Sequence, residues 1–238
     1  MKKNVMMRVA SIMLVLVLMT SSVISGTFAK YVTSGSSTDS ARVAEFGVRI
    51  TANGEMFTDT YQGIEAGWTS EDTVDGEGDD VVAPGTSGSM VKMALTGAPE
   101  VAVRVTYEAT NFSLKNWTLY DGTTEYCPIV FTINGATYGT EDTDATNKSA
   151  NVAALETAIK DVIANYSREY APNTNLTGVG ADALAISWSW AFSVNTTKDA
   201  KDTVLGDKAA GIAEDGTAMT PAPATIEIRV KTTVTQID

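Results

Sequence analysis

Acidic side chains form the densest group of residues in this chain that could bind a metal ion. Asp72, Asp75, Glu77, Asp79 and Asp80 follow one another closely, and Ca²⁺ prefers carboxylate oxygens of this kind. The spacing departs from the EF-hand pattern, because no glutamate stands at the twelfth position of the loop. A solvated acidic loop is therefore the favoured interpretation, and calcium binding is the alternative.

A second acidic group, formed by Asp199, Asp202 and Asp207, lies later in the chain. These carboxylates could also act as oxygen ligands of a cation. The dipeptide Asp202-Thr203 is, however, typical of residues that cap a short helical turn. We therefore expect it to cap such a turn around Val204 and Leu205 rather than to bind a metal.

The chain contains no histidine. This absence removes the usual general base, the usual zinc ligand and every Ser-His or Cys-His nucleophile. Pairs of carboxylates can hydrolyse glycosides without histidine. Acidic residues are so frequent in this chain, however, that two of them lying close together would not by themselves indicate a glycosidase. We therefore predict a protein that is not an enzyme, with no catalytic residues, no metal site and no cofactor.

Cys127 is the only cysteine of the chain, so no intrachain disulfide can form. It stands between Tyr126 and Pro128 at the start of a predicted strand, which favours a buried structural thiol. The tryptophans leave two interpretations open. Trp188 and Trp190 alternate with apolar residues, which favours core packing over stacking on a sugar. Trp68 and Trp117 are less constrained and could be exposed.

The first 29 residues have the three parts of a secretory signal peptide. Basic residues at the start are followed by an apolar run over residues 9–19, and Thr27 and Ala29 are the small residues that a signal peptidase reads. Cleavage is expected between Ala29 and Lys30. The apolar run is short for a membrane span, which needs about 20 residues, so an uncleaved anchor helix is the less favoured alternative.

Charge limits the partners of the secreted chain. The full chain has a net charge of −12, and cleavage would remove three basic residues and no acidic ones. Nucleic acid is therefore not an expected partner, since its binding requires lysine and arginine on the protein surface. Association with an anionic membrane after cleavage is not expected either.

The mature sequence alternates between apolar and polar residues in several segments, as half-buried antiparallel strands do. The clearest alternations cover residues 101–107, 186–194 and 226–237. Asp121-Gly122 and Asn134-Gly135 each predict a hairpin with a type I′ turn. Residues 71–80 and 141–144 read as acidic loops.

One helix is predicted within this β pattern. Its apolar residues Val152, Leu155, Ile159, Val162, Ile163 and Tyr166 recur at helical spacing. Ser149 or Asn151 could cap its start. The fold prediction is therefore an all-β, jelly-roll-like β-sandwich with one inserted amphipathic surface helix. Residues 1–29 would form the signal peptide, residues 30–42 a flexible N-terminal segment, and residues 43–238 the β-sandwich domain.

Four short motifs resemble the TasA/camelysin family of Gram-positive bacteria, whose members are exported through a SipW-type signal peptidase. They are Ser25-Gly26-Thr27-Phe28-Ala29-Lys30-Tyr31, Asp39-Ser40-Ala41-Arg42-Val43-Ala44-Glu45-Phe46, Val82-Ala83-Pro84-Gly85-Thr86-Ser87-Gly88-Ser89 and Lys201-Asp202-Thr203-Val204-Leu205-Gly206. The resemblance implies a jelly-roll fold and a secreted protein of the extracellular biofilm matrix or the cell surface. The metallopeptidase activity described for camelysin-type relatives is not carried over, because the chain lacks the histidines that would bind zinc.

The resemblance also implies self-assembly into fibres or homo-oligomers. In such fibres an N-terminal segment of one subunit adds a strand to the next. Here that donor strand would come from residues 30–40, with Tyr31, Val32 and Thr33 as its strand-forming part. Strand addition satisfies the free backbone groups of a sheet edge. The alternatives are a disordered tail, and a monomeric secreted module that binds carbohydrate or protein.

Overall fold

The chain divides into two units, Met1–Ala44 and Glu45–Asp238. The computed structural model describes residues 7, 9–16, 44–51, 56–58, 60–62, 73–75, 77, 79–90, 94–178, 184–192 and 195–237. In the first unit, residues 9–16 are helical. No helix among the described residues is both long enough and apolar enough to span a bilayer.

The second unit is rich in β-structure. Its described strands, in chain order, are β1 (Arg49–Thr51), β2 (Thr60–Gln62), β3 (Thr73–Asp75), β4 (Ser87–Met90), β5 (Ala94–Thr96), β6 (Val103–Lys115), β7 (Ile129–Ile133), β8 (Ala136–Thr140), β9 (Asn147–Ser149), β10 (Ser167–Tyr170), β11 (Ile186–Trp190) and β12 (Thr225–Gln236). Its helices are α1 (Val152–Ala164), a 3₁₀ turn (Leu176–Gly178) and α2 (Thr196–Ala210).

Two sheets carry most of this unit. One has the strand order β4-β11-β7-β8-β9, with only β8 and β9 parallel, and the other has the order β10-β6-β12. Their inner faces share one core, since Phe112 of β6 meets Phe131 of β7 edge-on with ring centroids 5.1 Å apart. The described residues thus confirm a β-rich fold, while its assignment to the jelly-roll type stays a prediction.

Helix α1 forms where its periodicity predicts. Asn151 is the N-cap, and its side-chain oxygen accepts a hydrogen bond of 2.7 Å from the backbone N–H of Ala154. Leu155, Ile159 and Ile163 are fully buried, because α1 packs them against β6, β8 and β9.

The two predicted hairpin turns have different outcomes. Asn134 and Gly135 both have positive φ, as a type I′ turn requires, and they join β7 to β8. At Asp121-Gly122 only Gly122 has positive φ. The backbone N–H of Gly122 bonds to the carbonyl of Leu119, and that of Leu119 bonds to the carbonyl of Thr124. The type I′ prediction is therefore wrong there, because the turn occupies a longer loop.

The prediction of a single helix is also wrong, since the described residues contain α2 as well. Asn195 is the N-cap of α2 and Gly211, with φ of 74°, ends it. Asp202 therefore lies in the middle of a helix and does not cap a short turn. Helical periodicity gives little indication of α2, because few of its residues are apolar.

Candidate functional site

The predicted site residues of the N-terminus lie outside the described part of the chain. They are the cleavage residues Thr27, Ala29 and Lys30 and the assembly residues Tyr31, Val32 and Thr33. The described residues do include an unpaired sheet edge, which is formed by β12.

Strand β12 is the long edge of the three-stranded sheet. It pairs with β6 through its whole length, from Thr225 opposite Lys115 to Gln236 opposite Val103. Among the described residues, no strand pairs with its other side. An edge strand directs alternate backbone N–H and C=O groups away from its partner, so β12 offers a row of such groups to an added strand.

The inner face of β12 is incompletely covered. Ile226, Ile228, Val230 and Val234 pack against the core but are only partly buried. The inner-face residues of the neighbouring β6, such as Val105 and Phe112, have no exposed surface. The Thr232 side-chain oxygen on the same face is buried and has no hydrogen-bond partner among the described residues. The inner face of β12 is therefore less completely covered than that of its neighbour β6.

The outer face of β12 is polar. Glu227, Arg229, Lys231 and Thr233 are exposed and alternate with the inner-face residues. The Arg229 Nη2 atom lies 3.1 Å from Glu227 Oε1 in an exposed ion pair, which adds little stability. Charged residues protect edge strands from unspecific pairing, so the outer face of β12 limits which strands could pair with this edge.

Polar side chains attach helix α2 to the β-sheets of the second unit. Its Asp202, Leu205 and Lys208 are buried on one side of the helix. The Lys208 ammonium donates hydrogen bonds to the carbonyl of Thr118 at 2.5 Å and to the Thr118 hydroxyl at 2.9 Å. Burial lowers the pKa of this ammonium.

Asp202 is the buried carboxylate of this attachment. Its Oδ1 atom accepts a hydrogen bond of 2.7 Å from the hydroxyl of Tyr126, which is itself 1% exposed. Burial raises the pKa of the Asp202 carboxyl, while the Tyr126 hydroxyl and the nearby Trp190 indole act in the opposite direction. Burial likewise raises the pKa of Tyr126, so this phenol stays neutral.

Two further polar contacts hold α2 against the loops around Tyr120 and Asp142. The Lys201 ammonium lies 3.0 Å from Asp142 Oδ1 in the predicted acidic loop and 4.8 Å from the centre of the Tyr126 ring. The Tyr120 hydroxyl donates a hydrogen bond of 2.8 Å to Asp207 Oδ2. Sequence reasoning missed this role, although Asn195 and Gly211 bracket α2 with the residue types that cap helices.

The acidic candidates do not assemble a metal site among the described residues. No three carboxylate or thiol groups there are grouped so as to hold an ion. Asp72 lies outside the described residues, and Asp75, Glu77, Asp79 and Asp80 are exposed. Asp202 and Asp207 instead accept hydrogen bonds from tyrosines.

The aromatic and thiol predictions are resolved by burial. Trp188 and Trp190 are core residues, as predicted. Trp117 is 1% exposed and its indole N–H donates a hydrogen bond to the carbonyl of Thr225, so the idea that it is an exposed sugar platform is wrong. Trp68 lies outside the described residues. Cys127 is buried, as predicted, and burial raises the pKa of its thiol to about 12.

Comparisons of the chain with protein-family models, with curated proteins and with solved structures found no match.

Proposed function

We propose that this chain is a secreted subunit of an extracellular-matrix or cell-surface fibre of the TasA/camelysin type, exported by a Gram-positive bacterium. The fold would be a jelly-roll-type β-sandwich. The subunits would assemble by adding the mature N-terminal segment of one copy to the sheet edge of the next. The observation that carries the proposal is the edge of β12, unpaired among the described residues, beside a partly covered apolar face.

The donor and the acceptor have complementary properties. Tyr31, Val32 and Thr33 are residue types that favour strands. Their backbone groups would pair with the outward N–H and C=O groups of β12. One face of the donor would then extend the apolar layer formed by Val230 and Val234, which gains free energy because apolar surface leaves water.

Cleavage would control assembly in this mechanism. While the signal peptide is attached, residues 30–33 are joined to it through Ala29 and are not a free end. Cleavage after Ala29 releases the donor and adds the positive charge of a new N-terminus at Lys30. That charge faces a chain whose net charge is strongly negative, so the first encounter between copies is electrostatically favourable.

Cysteine cross-linking between two variants tests the pairing directly. One preparation begins at Lys30 and carries Val32→Cys, and the other carries Thr233→Cys on the exposed face of β12. Each chain then has one reactive thiol, since Cys127 is buried. We expect a disulfide-linked heterodimer, and none with Thr157→Cys, a matched change on the exposed face of α1.

A second donor variant distinguishes a strand from a flexible tail. Successive residues of a strand point to opposite faces, so Tyr31→Cys and Val32→Cys should differ strongly in their yield with Thr233→Cys. Equal yields would contradict strand addition. A protein that stays monomeric in size-exclusion chromatography and shows no cross-link would favour the alternative, a monomeric binding module.

A further inference from the structure

Hydrogen bonds show which backbone groups of β12 face its neighbour β6. The carbonyl oxygens of Thr225 and Arg229 both accept hydrogen bonds from side chains on the β6 side. The N–H of Ile237, just beyond the strand, also donates on that side. These residues are all odd-numbered, and successive residues of a strand direct their backbone groups to opposite sides. The backbone groups of the even-numbered residues therefore point away from β6, as at Ile226, Ile228 and Val230.

The outer face of the same stretch carries charges of both signs. Glu227 and Arg229 are exposed, and Arg229 Nη2 lies 3.1 Å from Glu227 Oε1 along the strand. Their register partners on β6 are the neutral residues Ser113 and Asn111. Neither charge thus meets an opposite charge across the strands of its own sheet. A strand added to the edge of β12 can therefore place an opposite charge directly beside each of them.

A second copy of β12 has the sequence to be that strand. When the same edge of two identical chains meets, the contact has a two-fold axis and the strands run antiparallel. The apolar faces stay on one side only in registers that pair even-numbered residues with each other. In the register centred on Ile228, Glu227 stands opposite Arg229 of the second copy, twice across the axis. Ile226 then stands opposite Val230 of the second copy, so apolar residues also meet.

The other registers lack this match. Centred on Glu227 or on Arg229, that residue would stand opposite itself, and nearer residue 225 the overlap would be too short. Centred further along the strand, Arg229 and Lys231 would stand opposite one another, opposite themselves or opposite threonines. Opposite charges across neighbouring strands stabilise a sheet, and like charges destabilise it. The charges of β12 thus favour one register of self-pairing.

We propose that residues 225–231 of β12 pair edge to edge with the same residues of a second copy, in the antiparallel register centred on Ile228. The two three-stranded sheets then form one continuous sheet. The outward backbone groups of the even-numbered residues exchange hydrogen bonds, and the partly exposed apolar residues of the two inner faces continue one another. The contact needs no N-terminal segment, so it stands independently of the proposed function. The N-terminal donor proposed above lies beside Thr233, in the other part of the strand.

A charge exchange tests the proposal in sedimentation velocity experiments on the protein that begins at Lys30. The contact is small, so a dissociation constant of about 0.1 mM is expected for the wild type. Glu227→Arg and Arg229→Glu each bring like charges together twice, so each should weaken the dimer about tenfold or more. The double variant exchanges the two residues and restores both pairs, so it should dimerise like the wild type. Lys148→Glu, exposed on β9, changes the net charge as Arg229→Glu does and should leave the dimer unchanged.

Disulfide formation measures the register. Thr225 of one copy and Lys231 of the other would form a non-hydrogen-bonded pair, whose Cα atoms lie about 4.5 Å apart, within the range for a disulfide. We expect a disulfide-linked heterodimer when Thr225→Cys is mixed with Lys231→Cys, and none from either variant alone. Thr225→Cys mixed with Thr233→Cys corresponds to the register centred on Arg229 and should give much less. A higher yield from this second mixture would contradict the proposed register.

Two prolines separate this contact from the N-terminal one. Val32→Pro together with Thr33→Pro removes the N–H of two consecutive donor residues, one of which would face the acceptor edge. Dimers that persist in this variant support the pairing of β12, whatever the outcome for the N-terminal donor. Dimers that vanish belong to the N-terminal donor and overturn the pairing. A double exchange variant that stays monomeric, or a wild type that is monomeric at about 1 mM, would overturn it as well.

Discussion

The hydroxyl of Thr110 donates a hydrogen bond of 3.2 Å to the carbonyl oxygen of Arg229 where β6 and β12 lose register. Arg229 stands opposite Asn111, whereas the next residue, Val230, stands opposite Ala109. Thr110 is thus the extra residue of a β-bulge. The bulge changes the alternation of β6, so that Val105 and Tyr107 before it and Phe112 and Leu114 after it all face the core.

Deletion of Thr110 should leave the protein folded, because Thr110 is the extra residue of the bulge and has no register partner on β12. With Ala109 still opposite Val230 and Asn111 opposite Arg229, Phe112 and Leu114 would keep facing the core opposite Ile228 and Ile226. The expected loss in the free energy of unfolding is that of the hydrogen bond from the Thr110 hydroxyl, about 0.5–1.5 kcal/mol. Urea unfolding followed by circular dichroism measures this. Thr110→Ser keeps the hydroxyl and should change the midpoint little, and a deletion variant that fails to fold would contradict the assignment of the bulge.

Removal of the Tyr126 hydroxyl should destabilise the protein far more than removal of the Tyr120 hydroxyl. Both phenols donate to an aspartate of α2, but only the Tyr126–Asp202 bond is buried. Tyr126→Phe leaves the Asp202 carboxylate without its donor, which costs about 1–3 kcal/mol in the free energy of unfolding. Tyr120→Phe is the matched control, because water can replace the lost hydroxyl as a donor to its partner Asp207. Similar effects of the two changes in thermal unfolding would count against a structural role for Asp202.

Asp202 should contribute more to the free energy of unfolding in mild acid than at neutral pH. Burial raises its pKa in the folded state above the ordinary value of 3.8, so the folded protein holds the proton more tightly than the unfolded chain. This contribution is complete below the unfolded pKa and is lost as pH rises through the folded pKa. The stability of wild type minus that of Asp202→Asn should therefore grow as pH falls from neutral to about 4. A constant difference would contradict the raised pKa.

Asp121 should show the opposite pH dependence and serves as the counterpart of Asp202. Hydrogen bonds from the hydroxyl and N–H of Thr124 and the N–H of Thr123 lower the pKa of Asp121 to about 2. The stability that it contributes is present above its ordinary pKa of 3.8 and is lost as pH falls towards 2. The difference between the wild type and Asp121→Asn should thus shrink in acid. Urea titrations at several pH values measure both aspartates in one series.

Substitution by alanine should change the stability of the protein in opposite directions at Gly206 and Gly88. Gly206 lies within α2, where a Cβ would meet no atom within 4 Å, so Gly206→Ala should raise the free energy of unfolding by about 0.5–1 kcal/mol through helix propensity. At Gly88 a Cβ would collide with the carbonyl oxygen of Met56 and with the Trp188 indole nitrogen, which donates a hydrogen bond to that same oxygen. Gly88→Ala should lower the midpoint of thermal unfolding. Tolerance of alanine at Gly88 would show that this close approach is absent in solution.

Local sequence signals predicted the elements whose formation depends on near neighbours. The helix α1 was predictable because its periodicity and its cap, Asn151, lie within one segment. The Asn134-Gly135 turn and the buried face of β11, with Trp188 and Trp190, were predictable for the same reason.

The predictions that were wrong concern contacts between distant parts of the chain. Helix α2 is stabilised by bonds from Asp202 and Lys208 to residues that lie far away in sequence. The exposure of Trp117 was misjudged because its indole bonds to Thr225, more than a hundred residues later. The predicted alternation along residues 101–107 is confirmed at Val103, Val105 and Tyr107, and it does not continue to the end of β6 because the bulge at Thr110 changes which face each later residue occupies.

By itself, the sequence determined the β-rich character of the chain, because the alternation of apolar and polar residues acts over a few neighbours. It also determined that the chain has no histidine and a single cysteine. Only the tertiary structure decided that β12 lies at a sheet edge and that Asp202 lies beside a cavity. Both depend on which distant segments meet, and that is set by the packing of the whole core.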